Sequence, residues 1–145
     1  MPVLNPTDLK THAYSEVINE ITRGDDTIIT TAIDAATQEA KMYLARFDLL
    51  QLFGDATTSP TFTDGYLNSL LKDIALWHLM RLANPAIDTA MARKAYEDAI
   101  IALKNIMEGV VQPAGWPYAP GNSETTLPDN GAIEWTSIPK RNNYY

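Results

Sequence analysis

Residues Val110 to Tyr145 hold five of the nine prolines and two of the three tryptophans, with almost no periodic apolar pattern. Before them the apolar residues recur at helical spacing through four segments. The chain therefore divides into a part that can build a core from helix faces and a part that cannot pack against itself. We place the division at a helical domain, residues 1–110, and an extended C-terminal tail, residues 111–145. The fold class expected is all-α: a small bundle of four main helices with a largely irregular tail.

The first helix is expected from Thr7, which follows Pro6 and precedes Asp8, with Leu9, Ala13, Val17 and Ile21 on one stripe and Gly24 as its stop. The second starts at Asp25 or Asp26. It carries Ile28, Ile29, Ala32, Ile33, Ala36, Ala40, Tyr43, Leu44 and Phe47 over about twenty residues, roughly 30 Å of helix. The run Asp48 to Phe53 is apolar but short, closed by Gly54. Residues 54–63 read as a loop, after which Thr63 or Asp64 caps the third helix. Leu67, Leu70, Leu71, Ile74, Ala75, His78, Leu79 and Leu82 mark its inner side, and Trp77 and Met80 widen the apolar surface, so this is the helix expected to be most buried. It ends at Asn84-Pro85. Asp88 caps the fourth helix, whose apolar repeat is Ala92, Ala95, Tyr96, Ala99, Ile100, Leu103, Ile106 and Met107, with Gly109 as its stop.

Charge excludes several roles. Eleven basic residues stand against eighteen acids, a formal net charge of −7. Sequence-specific nucleic-acid binding and docking to an anionic membrane both need clustered positive charge. There is no cysteine, hence no disulfide framework and no thiol chemistry. Met1 to Lys10 has no apolar run and reads as neither a signal peptide nor a membrane span, so a soluble intracellular product is expected.

No catalytic constellation is legible, and no cofactor or metal is implied. His12 and His78 are isolated and belong to no metal-ligand spacing. His78, on an apolar face, reads as a satisfied interior imidazole, and His12 as half exposed. Asp25-Asp26 reads as a helix cap and Glu97-Asp98 as a solvated face. No serine has nucleophile context, and no glycine run could cradle a phosphate. The expectation is a protein that is not an enzyme.

The aromatic residues of the tail are the candidate binding groups. Trp116 and Tyr118 lie close to the last helix in W-P-Y-A-P, and laying them back on the bundle is the favoured reading. The end, I-E-W-T-S-I-P-K-R-N-N-Y-Y, differs: Lys140-Arg141 stand beside two tyrosines in an acidic chain. Large aromatics and arginine anchor interfaces, and Pro139 reduces the entropy lost on docking. The candidate partner-binding residues are Trp135, Pro139, Lys140, Arg141, Tyr144 and Tyr145, with the loop Asp55 to Phe62 as a weaker second candidate.

Four segments carry a family resemblance: P-T-D-L at Pro6 to Leu9, T-A-I-D-A-A-T-Q-E-A-K-M-Y-L at Thr31 to Leu44, L-L-K-D-I-A-L-W-H-L at Leu70 to Leu79, and A-R-K-A-Y-E-D-A-I-I-A-L-K-N-I-M-E-G-V-V at Ala92 to Val111. In order and spacing, over about residues 5 to 111, the chain resembles the head–tail connector, or adaptor, proteins of tailed bacteriophages, including the family of Mu-like phages. The resemblance implies a small helical virion protein in a ring under the portal, commonly twelve-fold. Its partners would be the portal protein, a tail-completion or stopper protein and neighbouring copies of itself. Such a protein resides in the host cytoplasm during assembly and then at the head–tail junction. The segment Val111 to Tyr145 is longer than in the simplest members. The alternative reading is a small helical adaptor or regulator of cellular origin whose aromatic and basic tail binds one partner.

Overall fold

A computed structural model of the chain describes residues 3–13, 15–83 and 89–122. Among them the fold is all-α. A 3₁₀ helix, Pro6–Thr11, leads into α1 (Ser15–Thr22), α2 (Asp26–Tyr43), α3 (Leu49–Phe53), α4 (Gly65–Ala83) and α5 (Ala90–Met107). The most extensive helix pair is α2 with α4. Helix α5 lies chiefly against α4, and α1 and the 3₁₀ helix complete the bundle.

The expected first helix is two pieces. Its start is one residue earlier than Thr7: Pro6 takes the first position, where its missing N–H removes no bond. Asp8 returns its carboxylate to the Asn5 N–H at 2.8 Å. The 3₁₀ turns end at Thr11, and α1 resumes in a different register. Leu9 is buried as expected, but α1 turns Ile18 inward rather than Val17, together with Thr22. The Thr22 hydroxyl donates to the Ile18 carbonyl at 2.9 Å, so its burial leaves no orphan group.

Asp25 is the cap of α2, its carboxylate accepting from the Thr27 N–H at 2.9 Å and the Thr27 hydroxyl at 2.6 Å. Those bonds hold the Asp25 carboxyl below the ordinary aspartate range. Ile29, Ala32, Ile33, Ala36 and Ala40 face the core. The three small alanines let α4 approach closely, and α4 responds by burying Leu67, Leu70, Leu71, Ile74, Ala75, Leu76, Leu79 and Met80, nearly all round its circumference. The packed part of its stripe ends at Met80. Leu82, expected inside, lies in the last turn and is 55% exposed. In the same way α5 buries Ala92, Ala99, Leu103 and Ile106 but leaves Met107 partly in water. The predicted stops at Asn84-Pro85 and the cap at Asp88 lie outside the described residues.

Helix α2 stops at Tyr43, short of Phe47. Phe47 instead forms an antiparallel bridge with Tyr118. Asp48 then caps α3, accepting from the Gln51 N–H at 3.1 Å and the Gln51 side-chain amide at 2.8 Å. Gly54 ends α3 at φ 70°, ψ −168°, a region that essentially only glycine occupies. A Cβ there would also run into the Thr58 carbonyl and the backbone nitrogen of Pro60. Gly54→Ala should therefore destabilise the protein by about 2–4 kcal/mol, combining backbone strain with displacement of the loop. Urea denaturation of the variant checks this, an unchanged midpoint being the contrary result.

Candidate functional site

The first stretch of the tail is strapped to the bundle. The Asp48 N–H donates to the Pro117 carbonyl at 2.9 Å, and the Ala119 N–H donates to the Arg46 carbonyl at 3.0 Å. Between these bonds, Phe47 meets Trp116 edge to face, with centroids 5.3 Å apart, and stacks on Tyr118 at 5.0 Å. Trp116 is 4% exposed, although it precedes Pro117 in a segment without periodicity. The favoured reading of Trp116 and Tyr118 matches this arrangement, and the part of the tail up to Asn122 covers its own domain. The energy comes from burying three aromatic side chains together, in the offset and edge geometries their quadrupoles prefer.

Two features are open to other molecules, and a third is internal. The first is a groove of about 660 Å³ between the N-terminal segment, α2 and the start of the loop after α3. Leu4, Pro6 and Phe53 give it apolar walls, while Asp34, Gln38 and Lys41 supply polar groups of both signs. The Lys41 ammonium sits 5.7 Å from the centre of the Phe53 ring. The loop Asp55 to Phe62, the weaker sequence candidate, borders this groove through Asp55 and Ala56. It is ordered by its own bonds: Asp55 Oδ1 accepts from the Thr57 and Thr58 N–H groups at 2.8 and 2.6 Å. The Thr61 and Phe62 N–H groups donate to the Gln51 carbonyl. Accepting the Thr57 and Thr58 N–H bonds lowers the Asp55 carboxyl from its ordinary range.

The second feature is an apolar series in water. Met91 and Ile101 fall on one outer strip of α5, with Lys94 and Asp98 between them at helical spacing. Just beyond that helix Val110 is 72% exposed and Val111 47%. Arg93 with Glu97 and Lys94 with Asp98 form exposed i,i+4 pairs at 2.9 and 3.6 Å. This agrees with the reading of Glu97-Asp98 as a solvated face, and such pairs add only about 0.3–0.5 kcal/mol each.

The third is an internal polar cluster. His78 Nε2 on α4 lies 2.7 Å from Glu39 Oε2 on α2. The Tyr96 hydroxyl on α5 donates to Glu39 Oε1 at 2.7 Å. One carboxylate thus ties the three central helices, and Trp77 stacks on Tyr96 at 5.9 Å. His78 is the hydrogen-bonded imidazole the sequence suggested. Both carboxylate oxygens of Glu39 are engaged by groups of its own fold, which suits a register pin better than a reaction centre. Burial, followed by the hydrogen bond to Glu39 and its charge, pushes the Tyr96 phenol up to about 12. Because the folded value lies above the unfolded one near 10, Tyr96 contributes stability that is complete below about pH 10 and is lost as pH rises through 12. Alkaline titration at 295 nm should show a late phenol step near pH 12 that Tyr96→Phe removes. A titration unchanged by that substitution would contradict the assignment.

His12 is partly exposed, with Nε2 3.3 Å from the Ser69 hydroxyl and 3.8 Å from Asp73. Burial raises the Asp73 carboxyl from its ordinary range, partly offset by His12. Among the described residues no three His, Asp or Glu side chains converge as a metal site, and no helix is long and apolar enough to cross a membrane. The leading sequence candidates Trp135, Pro139, Lys140, Arg141, Tyr144 and Tyr145 all lie outside the described residues. Sequence reasoning passed over Arg46 and the α5 strip. Methionine and isoleucine at helical spacing give no sign of which turn stays uncovered.

Comparison with protein-family models, with curated proteins and with solved structures finds no match to this chain.

Proposed function

We propose that this chain is a virion structural protein, a head–tail connector subunit that works by self-association in a ring and by binding portal and tail-completion partners, without chemistry of its own. The observation that carries the reading is the apolar series left in water along α5 and just past it: Met91, Ile101, Val110 and Val111. Exposed apolar groups along a helix and just past it suit burial against another subunit. A ring needs heterologous contact, in which one face of a subunit fits a different face of the next. The groove between the N-terminal segment and the loop after α3 offers a second, different face. The segments that resemble the connector family coincide with α2, α4 and α5, the helices whose packing defines the bundle.

In this reading residues 135–145 add contacts in the assembled ring, through Trp135, Lys140, Arg141, Tyr144 and Tyr145. The acidic balance of the chain suits a channel wall that does not grip passing DNA, since like charge weakens phosphate contact. Electron microscopy of the purified protein mixed with purified portal rings tests the proposal. An added layer of density with the symmetry of the portal is expected. Portal rings without such a layer, at protein concentrations well above micromolar, would count against it.

A further inference from the structure

The strap seals in a cation whose donors go unused. Arg46 stands between α2 and α3, immediately before Phe47. Its guanidinium carbon lies 5.1 Å from the centre of the Phe47 ring and 6.0 Å from that of Tyr118. The Nε, Nη1 and Nη2 atoms are shut off from solvent, and none has a hydrogen-bond partner among the described residues. The Tyr118 hydroxyl is in the same condition. Asp48 is the nearest acid in sequence, but both its oxygens are engaged by Gln51 in capping α3. Ring faces offset part of the cost of burying a guanidinium, and N–H donors without acceptors leave the rest standing. The closed strap is therefore opposed at this end. Its start is anchored by Trp116 against Phe47. Its far end hangs on one atom: the Ala119 N–H and the Asn122 side-chain amide both donate to the Arg46 carbonyl, at 3.0 and 3.2 Å. Tyr118 and Ala119 are only partly buried, so this end can lift while Trp116 stays in place.

We propose that Arg46 and Tyr118 form a carboxylate-binding site gated by the far end of the strap. Lifting Tyr118 and Ala119 frees the guanidinium and the phenol together. A carboxylate has two oxygens and about four acceptor sites, so it can match the planar fork of arginine and still accept from the Tyr118 hydroxyl. It carries a single negative charge, and a chain of formal net charge −7 repels it less than it repels a phosphate dianion. A ligand that binds only the lifted form draws the population toward that form. An acid thus binds and loosens the strap in one event. The inference does not depend on the connector reading.

Hydrogen exchange at the Ala119 amide of the full chain reads the opening. In the parent, sodium acetate should speed this exchange at least threefold over sodium chloride at equal ionic strength. Arg46→Met removes the unused charge and keeps an apolar side chain of similar reach. It should slow the exchange about tenfold, raise Tm by about 4 °C and abolish the difference between the two salts. Equal exchange in acetate and chloride overturns the proposal, as does an Arg46→Met variant that exchanges faster or melts lower than the parent. A response to inorganic phosphate with none to acetate overturns the assignment to a carboxylate. A short peptide of glutamate and glycine separates the sources: a stronger response to it than to acetate assigns the acid to a protein partner, and a weaker one to a free small acid. Should Arg46→Met fail to fold, Tyr118→Phe takes its place. That variant keeps the ring and loses the hydroxyl, so the acetate response should fall by at least half, and a response equal to the parent's overturns the site.

Discussion

Replacing Trp116 with alanine should lower stability by about 3–5 kcal/mol, the usual range for emptying a buried tryptophan site. For a chain of this size that corresponds to a fall in Tm of about 10 °C. The residue is 4% exposed and shares its site with Phe47 and Tyr118, so its loss also uncovers the Phe47 ring. The effect should extend to the backbone. The Phe47–Tyr118 bridge and the Asp48 N–H bond to Pro117 hold only while the aromatic cluster fixes the strap. Hydrogen exchange at the Asp48 and Ala119 amides should therefore accelerate together in the variant. Val111→Ala, at an exposed position one turn of chain earlier, is the control and should shift stability by less than about 0.5 kcal/mol. A Trp116→Ala protein as stable as its parent would mean that the tail does not belong to the folded unit.

The opposite outcome is expected for the end of the chain. Deleting Trp135 to Tyr145 should leave thermal stability nearly unchanged, while incorporation into particles is lost. The two changes differ in kind: removing Trp116 subtracts from the core, and on the proposed function removing 135–145 would subtract from contacts with other subunits. If the truncated protein unfolds, residues 135–145 belong to the core and the assignment of their role fails. If it is stable and still enters particles, the anchoring role of Trp135, Lys140, Arg141 and the two terminal tyrosines is wrong.

What the amino-acid order could reveal was governed by distance along the chain. The stripes of α2 and α5, apart from Phe47 and Met107, depend on residues within a turn or two of each other, as do the caps, which fall on Asp25 rather than Asp26 and on Asp64 rather than Thr63. The capping bond from the Leu67 N–H to Asp64 spans three residues. The split of the first helix turned on a local choice between 3₁₀ and α turns, and one residue of offset was enough to exchange Val17 for Ile18. Leu82 continues its stripe yet lies past the last packed turn, and periodicity carries no information about where a partner helix ends; Met107 stays partly in water although Ile106 beside it is buried. Phe47 also continues the α2 stripe; its pairing with Tyr118, far along the chain, overrode that local preference. The Glu39–His78–Tyr96 cluster joins three helices and has no local signature at all. Arg46 is the sharpest omission, since a lone arginine at the end of a helix resembles any solvated cation until the aromatic rings around it are placed.

The central claim is that this chain is built to be part of a larger particle, and mass spectrometry of purified tailed particles from the strain that encodes it tests that claim most directly. The account predicts peptides of this chain in full particles, in a copy number matching the portal ring. Particles that carry portal, capsid and tail proteins but none of this chain would contradict it.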